Sequence, residues 1–151
     1  MKRFLSVIVV AVALLSACTG NKVYDKYEHT PIAGWEKNDT LKYQIPPVAQ
    51  SGMYKAELGL RINGSYPFME LTLIVDQTRF PSRSVKSDTL NCELIDRRGN
   101  SKGRGLSYYQ YHFKVTEMYL HAGDSLSISV RHDMKREILP GISDIGIMLN
   151  R

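Results

Sequence analysis

From Tyr54 to Ile62 the chain alternates with a period of two. Tyr54, Ala56, Leu58, Leu60 and Ile62 fall on one side, and Lys55, Glu57, Gly59 and Arg61 on the other. Successive side chains of an extended backbone point to opposite faces, so this is a strand with one face to bury. The pattern recurs along most of the chain: Leu41, Tyr43, Ile45; then Met69, Leu71, Leu73, Val75; then Leu90, Cys92, Leu94. It continues with Tyr109, Tyr111, Phe113, Val115; with Leu126, Ile128, Val130 against three serines; and with Ile145, Ile147, Leu149. No segment keeps a helical period over comparable length, although Asp133 to Leu139 reads as one helical turn before Pro140-Gly141. About seven half-apolar strands cannot all bury a face in one open sheet, whereas two antiparallel sheets packed face to face can. The expected fold is all-β: an antiparallel β-sandwich of immunoglobulin-like or jelly-roll kind, in one domain. Strand order is not legible from the pattern.

The breaks between strands carry turn chemistry. Pro46-Pro47 ends one run, because neither proline can donate to a ladder. Asn63-Gly64-Ser65, Phe80-Pro81-Ser82-Arg83-Ser84 and His121-Ala122-Gly123-Asp124 end others. Arg97 to Gly105 is a basic, glycine-rich loop, read as a long hairpin connection in which Gly99, Gly103 and Gly105 supply positive φ.

The N-terminus follows another logic. Lys2 and Arg3 precede an apolar run from Phe4 to Leu15, about twelve residues against the roughly twenty of a spanning helix. Leu15-Ser16-Ala17-Cys18 closes it. Small side chains followed directly by cysteine form the lipobox of an exported bacterial lipoprotein. The reading is a cleaved signal over 1–17, a lipidated N-terminus and polar tether over 18–34, and the sandwich over 35–151. Acyl chains on Cys18, palmitate among them, hold the mature chain to a membrane.

Little in the chain points to catalysis. Cleavage removes two of the 20 basic residues and leaves 18 against 15 acidic ones, too mild a balance to imply nucleic acid. Cys92 has no partner once Cys18 is lipidated, so no disulfide is expected. His29, His112, His121 and His132 lack metal-ligand spacing, and no serine sits in a nucleophile elbow. Cys92 lies in an alternating apolar row and reads as core rather than as a nucleophile. Glu57, Glu70 and Glu93 fall on faces opposite apolar rows and read as solvated. Asp88, Asp96, Asp144 and Trp35 read as turn and core determinants. Two features can bind something: the basic group Arg97, Arg98, Lys102 and Arg104, and the aromatic stretch Tyr108, Tyr109, Tyr111 and Phe113.

In order along the chain stand Trp35-Glu36-Lys37-Asn38-Asp39, Tyr66-Pro67-Phe68, Phe80-Pro81, Asp88-Thr89-Leu90 with Cys92 and Leu94, and Asp96 with Gly99, Gly103 and Gly105. His132-Asp133-Met134 and Leu139-Pro140-Gly141-Ile142 follow, with Asp144 and Gly146. In these pieces, in this order, behind a lipobox, the chain resembles the gliding-motility lipoprotein GldH family of the Bacteroidetes. Members often carry a glycine after Phe-Pro, where this chain has Ser82-Arg83-Ser84. The resemblance implies a cell-envelope lipoprotein supporting gliding motility alongside type IX secretion. It implies envelope, motility or secretion proteins as partners, with no cofactor and no catalytic residues. No acidic residue precedes Asp25, so the signals for inner-membrane retention and for surface export are both missing, which favours the outer membrane and its periplasmic face. The alternative reading is a carbohydrate-binding lipoprotein module presenting the tyrosines.

Overall fold

The computed structural model describes residues 21–151; the signal at 1–17 and Cys18 lie outside the described residues. Ten strands follow in order: β1 Lys22–His29, β2 Trp35–Glu36, β3 Leu41–Ile45, β4 Gly52–Asn63, β5 Glu70–Phe80, β6 Ser84–Glu93, β7 Tyr108–Leu120, β8 Ser125–His132, β9 Ile138–Leu139 and β10 Ile142–Asn150. They form an antiparallel sandwich. One sheet runs β1-β10-β4-β7 and the other β3-β8-β5-β6, with the short pair β2-β9 between them in the chain's path.

The pairs β1–β10, β2–β9, β3–β8, β4–β7 and β5–β6 nest inside one another. The chain is one long hairpin, with its tip at 81–83, rolled up and closed by the β10–β4 and β5–β8 ladders. Of the two architectures expected, this is the jelly roll. The alternating rows become the core: Tyr54, Ala56, Leu58 and Leu60 of β4 face Leu71, Leu73 and Val75 of β5 and Leu126, Ile128 and Val130 of β8, all nearly or fully buried. β10 is buried on both faces from Asp144 to Leu149. The Tyr43 hydroxyl donates 2.7 Å to the Ile145 carbonyl, tying β3 of one sheet to β10 of the other.

The structure changes three expectations. The segment 18–34, read as a tether, becomes sandwich at Lys22. β1 pairs with β10 from Lys22↔Asn150 to His29↔Asp144 and forms the edge of its sheet. Its sequence lacks an apolar row because both faces of this edge strand are largely open, and its order comes from the ladder. Asp133 to Leu139 is not a helical turn either; Ile138–Leu139 pairs with Trp35–Glu36, which buries Leu139 and Trp35 completely. Finally, 94–107 is no hairpin, since β6 and β7 lie in different sheets. Gly99 and Gly105 do take positive φ, at 85° and 134°. Gly103 does not, and is needed because a Cβ there would stand 2.6 Å from the Tyr111 ring.

The Phe80-Pro81 peptide is cis, and Arg83 takes φ 57°. A side chain at that left-handed position is strained.

The roll has two ends. The near end carries Lys22, Asn150 and the connections 46–51, 81–83 and 121–124. The far end carries the longer connections 30–40, 64–69, 94–107 and 133–141.

Candidate functional site

The far end is built from backbone that the sheets do not use, and side chains hold it in place. Asp96 accepts from the backbone N–H of Arg98 and Asn100 at 2.8 and 2.9 Å, and these bonds hold its carboxyl below the usual range. Lys102 N–H donates to the Leu94 carbonyl, and Arg104 and Gln110 exchange both backbone bonds. The Tyr111 hydroxyl bonds Ser101 and the Leu94 carbonyl, so the crossover is pinned to the start of β7. Lys102 pairs with Glu93; among the described residues Arg97, Arg98 and Arg104 have no carboxylate partner. The basic group is therefore presented from a fixed loop rather than a loose one.

Beside it lies an open cleft of about 680 Å³ where the β6 and β7 edges of the two sheets meet. Glu93, Lys102, Arg104, Gln110, His112 and Phe113 are among its walls. Glu70 stands directly across from Glu93 in the β5–β6 ladder. Like charges so placed repel, and Lys102 offsets one of them. Both carboxyls are exposed, so neither has the desolvated setting of a general acid.

The other candidates are scattered. His29 lies against Asp144 at the end of β1, His112 is exposed in the cleft, and His121 sits in the exposed turn at the near end. His132 is buried under Trp35, ring edge to ring face, with Nε2 3.2 Å from the Trp35 carbonyl. Among the described residues no three His, Cys, Asp or Glu side chains gather as a metal would require. Cys92 is fully buried, and burial pushes its thiol up to about 12. Glu57 accepts from the Asn150 amide on the outer face. Trp35 donates its indole N–H to the Asp39 carbonyl at 2.8 Å, and Asp88 accepts from Gln77. Of the aromatic stretch, Tyr111 is buried, Tyr109 half-buried, and Tyr108 exposed at 57%.

Period-two reasoning did not single out the large apolar side chains left exposed. The large exposed apolar residues gather at the two ends of the roll. Ile32, Met69, Leu106, Tyr108 and Ile138 are at the far end; Val23, Met53, Phe80, Val85 and Tyr119 are at the near end. The local signal was available at Leu106, flanked by Gly105 and Ser107, and at Ile32, between Pro31 and Ala33-Gly34, both in turn-forming stretches outside any alternating row.

Comparison with known proteins places the chain. A gliding motility lipoprotein GldH of Flavobacterium johnsoniae is 29% identical over 96% of this chain and 94% of its own length. A gliding motility lipoprotein GldH homolog of Christiangramia forsetii is 24% identical over 96% and 93%. Among solved structures, a 4-O-methyl-alpha-glucuronidase with specificity for decorated arabinogalactans matches 86% of this chain at 12% identity and a TM-score of 0.47; this chain spans only 18% of that protein. A family 35 carbohydrate binding module from Clostridium thermocellum matches 82% of this chain and 90% of its own at 14% identity, with a TM-score of 0.39. Scores of that size say nothing of function. The sequence from residue 22 to 149, β1 included, matches the family described as GldH lipoprotein, and the chain belongs to that family.

Proposed function

We propose that this chain is an outer-membrane lipoprotein, acylated at Cys18, that supports gliding motility or type IX secretion by binding another envelope protein and has no catalytic step of its own. Its similarity to gliding motility lipoproteins motivates the motility part, and the absence of an acidic residue before Asp25 motivates the periplasmic face. One observation carries the binding part. Leu106 at 94% exposure, Tyr108 and Ile32 stand at the same end as a basic loop whose backbone is already fixed. Apolar side chains held at the tips of ordered connections cost solvation in the free protein and gain it back under a partner. The test is affinity purification of the acylated protein from native membranes in mild detergent, beside an Ile32→Asp, Leu106→Asp double variant. The wild type should bring down a consistent set of envelope proteins that the variant loses. Recovery of no such set, or of the same set with the variant, refutes the reading.

The carbohydrate-binding reading is favoured by the polar cleft against β7, which offers Asn91, Gln110 and Phe113 to a sugar. Glycan-array binding abolished by Gln110→Ala would support it; an inert array would end it.

A further inference from the structure

No spacer separates the proposed lipid attachment from the fold. Asn21 follows Cys18 by three residues, a reach of at most about 10 Å. β1 begins one residue later, with Lys22 fixed opposite Asn150. The headgroup layer is itself about 5–7 Å deep on each side of a bilayer. With Cys18 acylated, the Lys22 corner of the near end is thus held close to headgroup level.

The chemistry of that end suits the position. Met53 and Tyr119 face each other across the β4–β7 ladder, both about half exposed. Val85, 68% exposed, and Phe80 stand at the β5–β6 turn, at the opposite corner from β1. Lys22 and Lys86 are paired with Asp25 and Asp88, but among the described residues Arg79, Arg83 and Arg151 have no carboxylate partner. A cleft of about 380 Å³ between Lys22 and Arg151 opens beside Asn21. Aromatic and aliphatic side chains at the same end as unpaired arginines are what the boundary between headgroups and acyl chains accepts, and unpaired arginines are attracted to lipid phosphates.

We propose that the near end of the roll is a lipid-docking face: the domain stands upright on an anionic membrane surface, with the 46–51, 81–83 and 121–124 connections against the headgroups and the far end pointing away. This rests on the acylation of Cys18 proposed above. Docking at three connections fixes the height and tilt at which the far end meets its partner, which an anchor on a loose tether would not do.

The acylated protein, reconstituted alone into phosphatidylethanolamine–phosphatidylglycerol vesicles, tests this. Single cysteines are introduced as Met53→Cys, Val85→Cys and, at the far end, Leu106→Cys, and each is labelled with an environment-sensitive fluorophore. All three sites are exposed, while Cys92 is fully buried. Fluorophores at 53 and 85 should be blue-shifted and quenched severalfold less by aqueous iodide than the one at 106. Equal quenching at all three sites, or protection at 53 without 85, overturns the proposal. So does protection found only in native membranes, which would assign the face to a protein. Flotation and palmitate incorporation, with Cys18→Ser as control, separate the two readings. A chain that fails to float overturns anchoring and docking together, and one that floats with exposed fluorophores overturns docking alone.

Discussion

Tyr27 lies flat across the outside of its sheet, and two glycines make room for it. In register, Tyr27 of β1 stands beside Gly146 of β10, which stands beside Gly59 of β4. A Cβ on Gly59 would sit 2.1 Å from the Tyr27 hydroxyl oxygen and 2.7 Å from Cζ. Replacing Gly59 by alanine therefore has to lift the ring. Lifting it breaks the 3.1 Å bond from the Gln110 amide, worth about 0.5–1.5 kcal/mol. It also removes the ring from beneath the Arg61 guanidinium, 4.3 Å from its centroid, worth about 0.5–1 kcal/mol at an exposed site. Apolar area returned to water adds about 1 kcal/mol. Alanine is better than glycine inside a strand by about 0.5–1 kcal/mol. The net cost is about 1–3 kcal/mol, each kcal/mol lowering the melting temperature by about 3–5 °C for a domain of this size. The assay is thermal and urea unfolding of the Cys18→Ser mature chain in a double-mutant cycle with Tyr27→Ala. With the ring gone, Gly59→Ala should become neutral or stabilising. An equal cost in both backgrounds would show that something other than the ring forbids a side chain there, and the reasoning would be wrong.

Other consequences follow from single residues. His132 is lowered below the ordinary value of 6.5, chiefly by burial; its Nε2–H donates to the Trp35 carbonyl while Nδ1 accepts from the Met134 N–H, an arrangement only the neutral ring satisfies. The unfolded chain then binds the proton more tightly, so stability present above pH 6.5 is lost as pH falls from there toward the lower folded value; a urea midpoint that falls with acid in the wild type and less steeply in His132→Gln checks this. Arg83→Gly should raise stability by about 1 kcal/mol by relieving a left-handed side chain, whereas a lower melting temperature would mean that the arginine makes contacts outweighing the strain. Cys92 should resist a thiol reagent at about pH 8 in the folded chain and react once the protein unfolds; rapid native labelling would contradict its burial.

Much of the core was legible because a strand with one buried face writes its own period. Leu58 and Leu60, Leu71 and Leu73, Ile128 and Val130 are buried as alternation requires. Cys92 lies inward with Leu94, and Trp35 is core with its N–H satisfied. The far-end site was half legible: the basic cluster and Tyr108 stood out in the sequence, but its pinned backbone did not. The Leu94 and Gln110 groups that hold the crossover are ordinary residues until the fold brings them to Lys102 and Arg104.

Period alone determined that this chain is all-β with a two-layer core, because that property is carried by neighbouring residues. Only the tertiary structure decided that the roll begins at Lys22, which of the two sandwich topologies it takes, and that Gly59 and Gly146 form the bed for Tyr27. An edge strand such as Lys22–His29 buries no complete face and so leaves no periodic trace; its order comes from a ladder with residues more than a hundred positions away. Local sequence records which face is dry, and the pairing of distant strands is set by the packing of the whole.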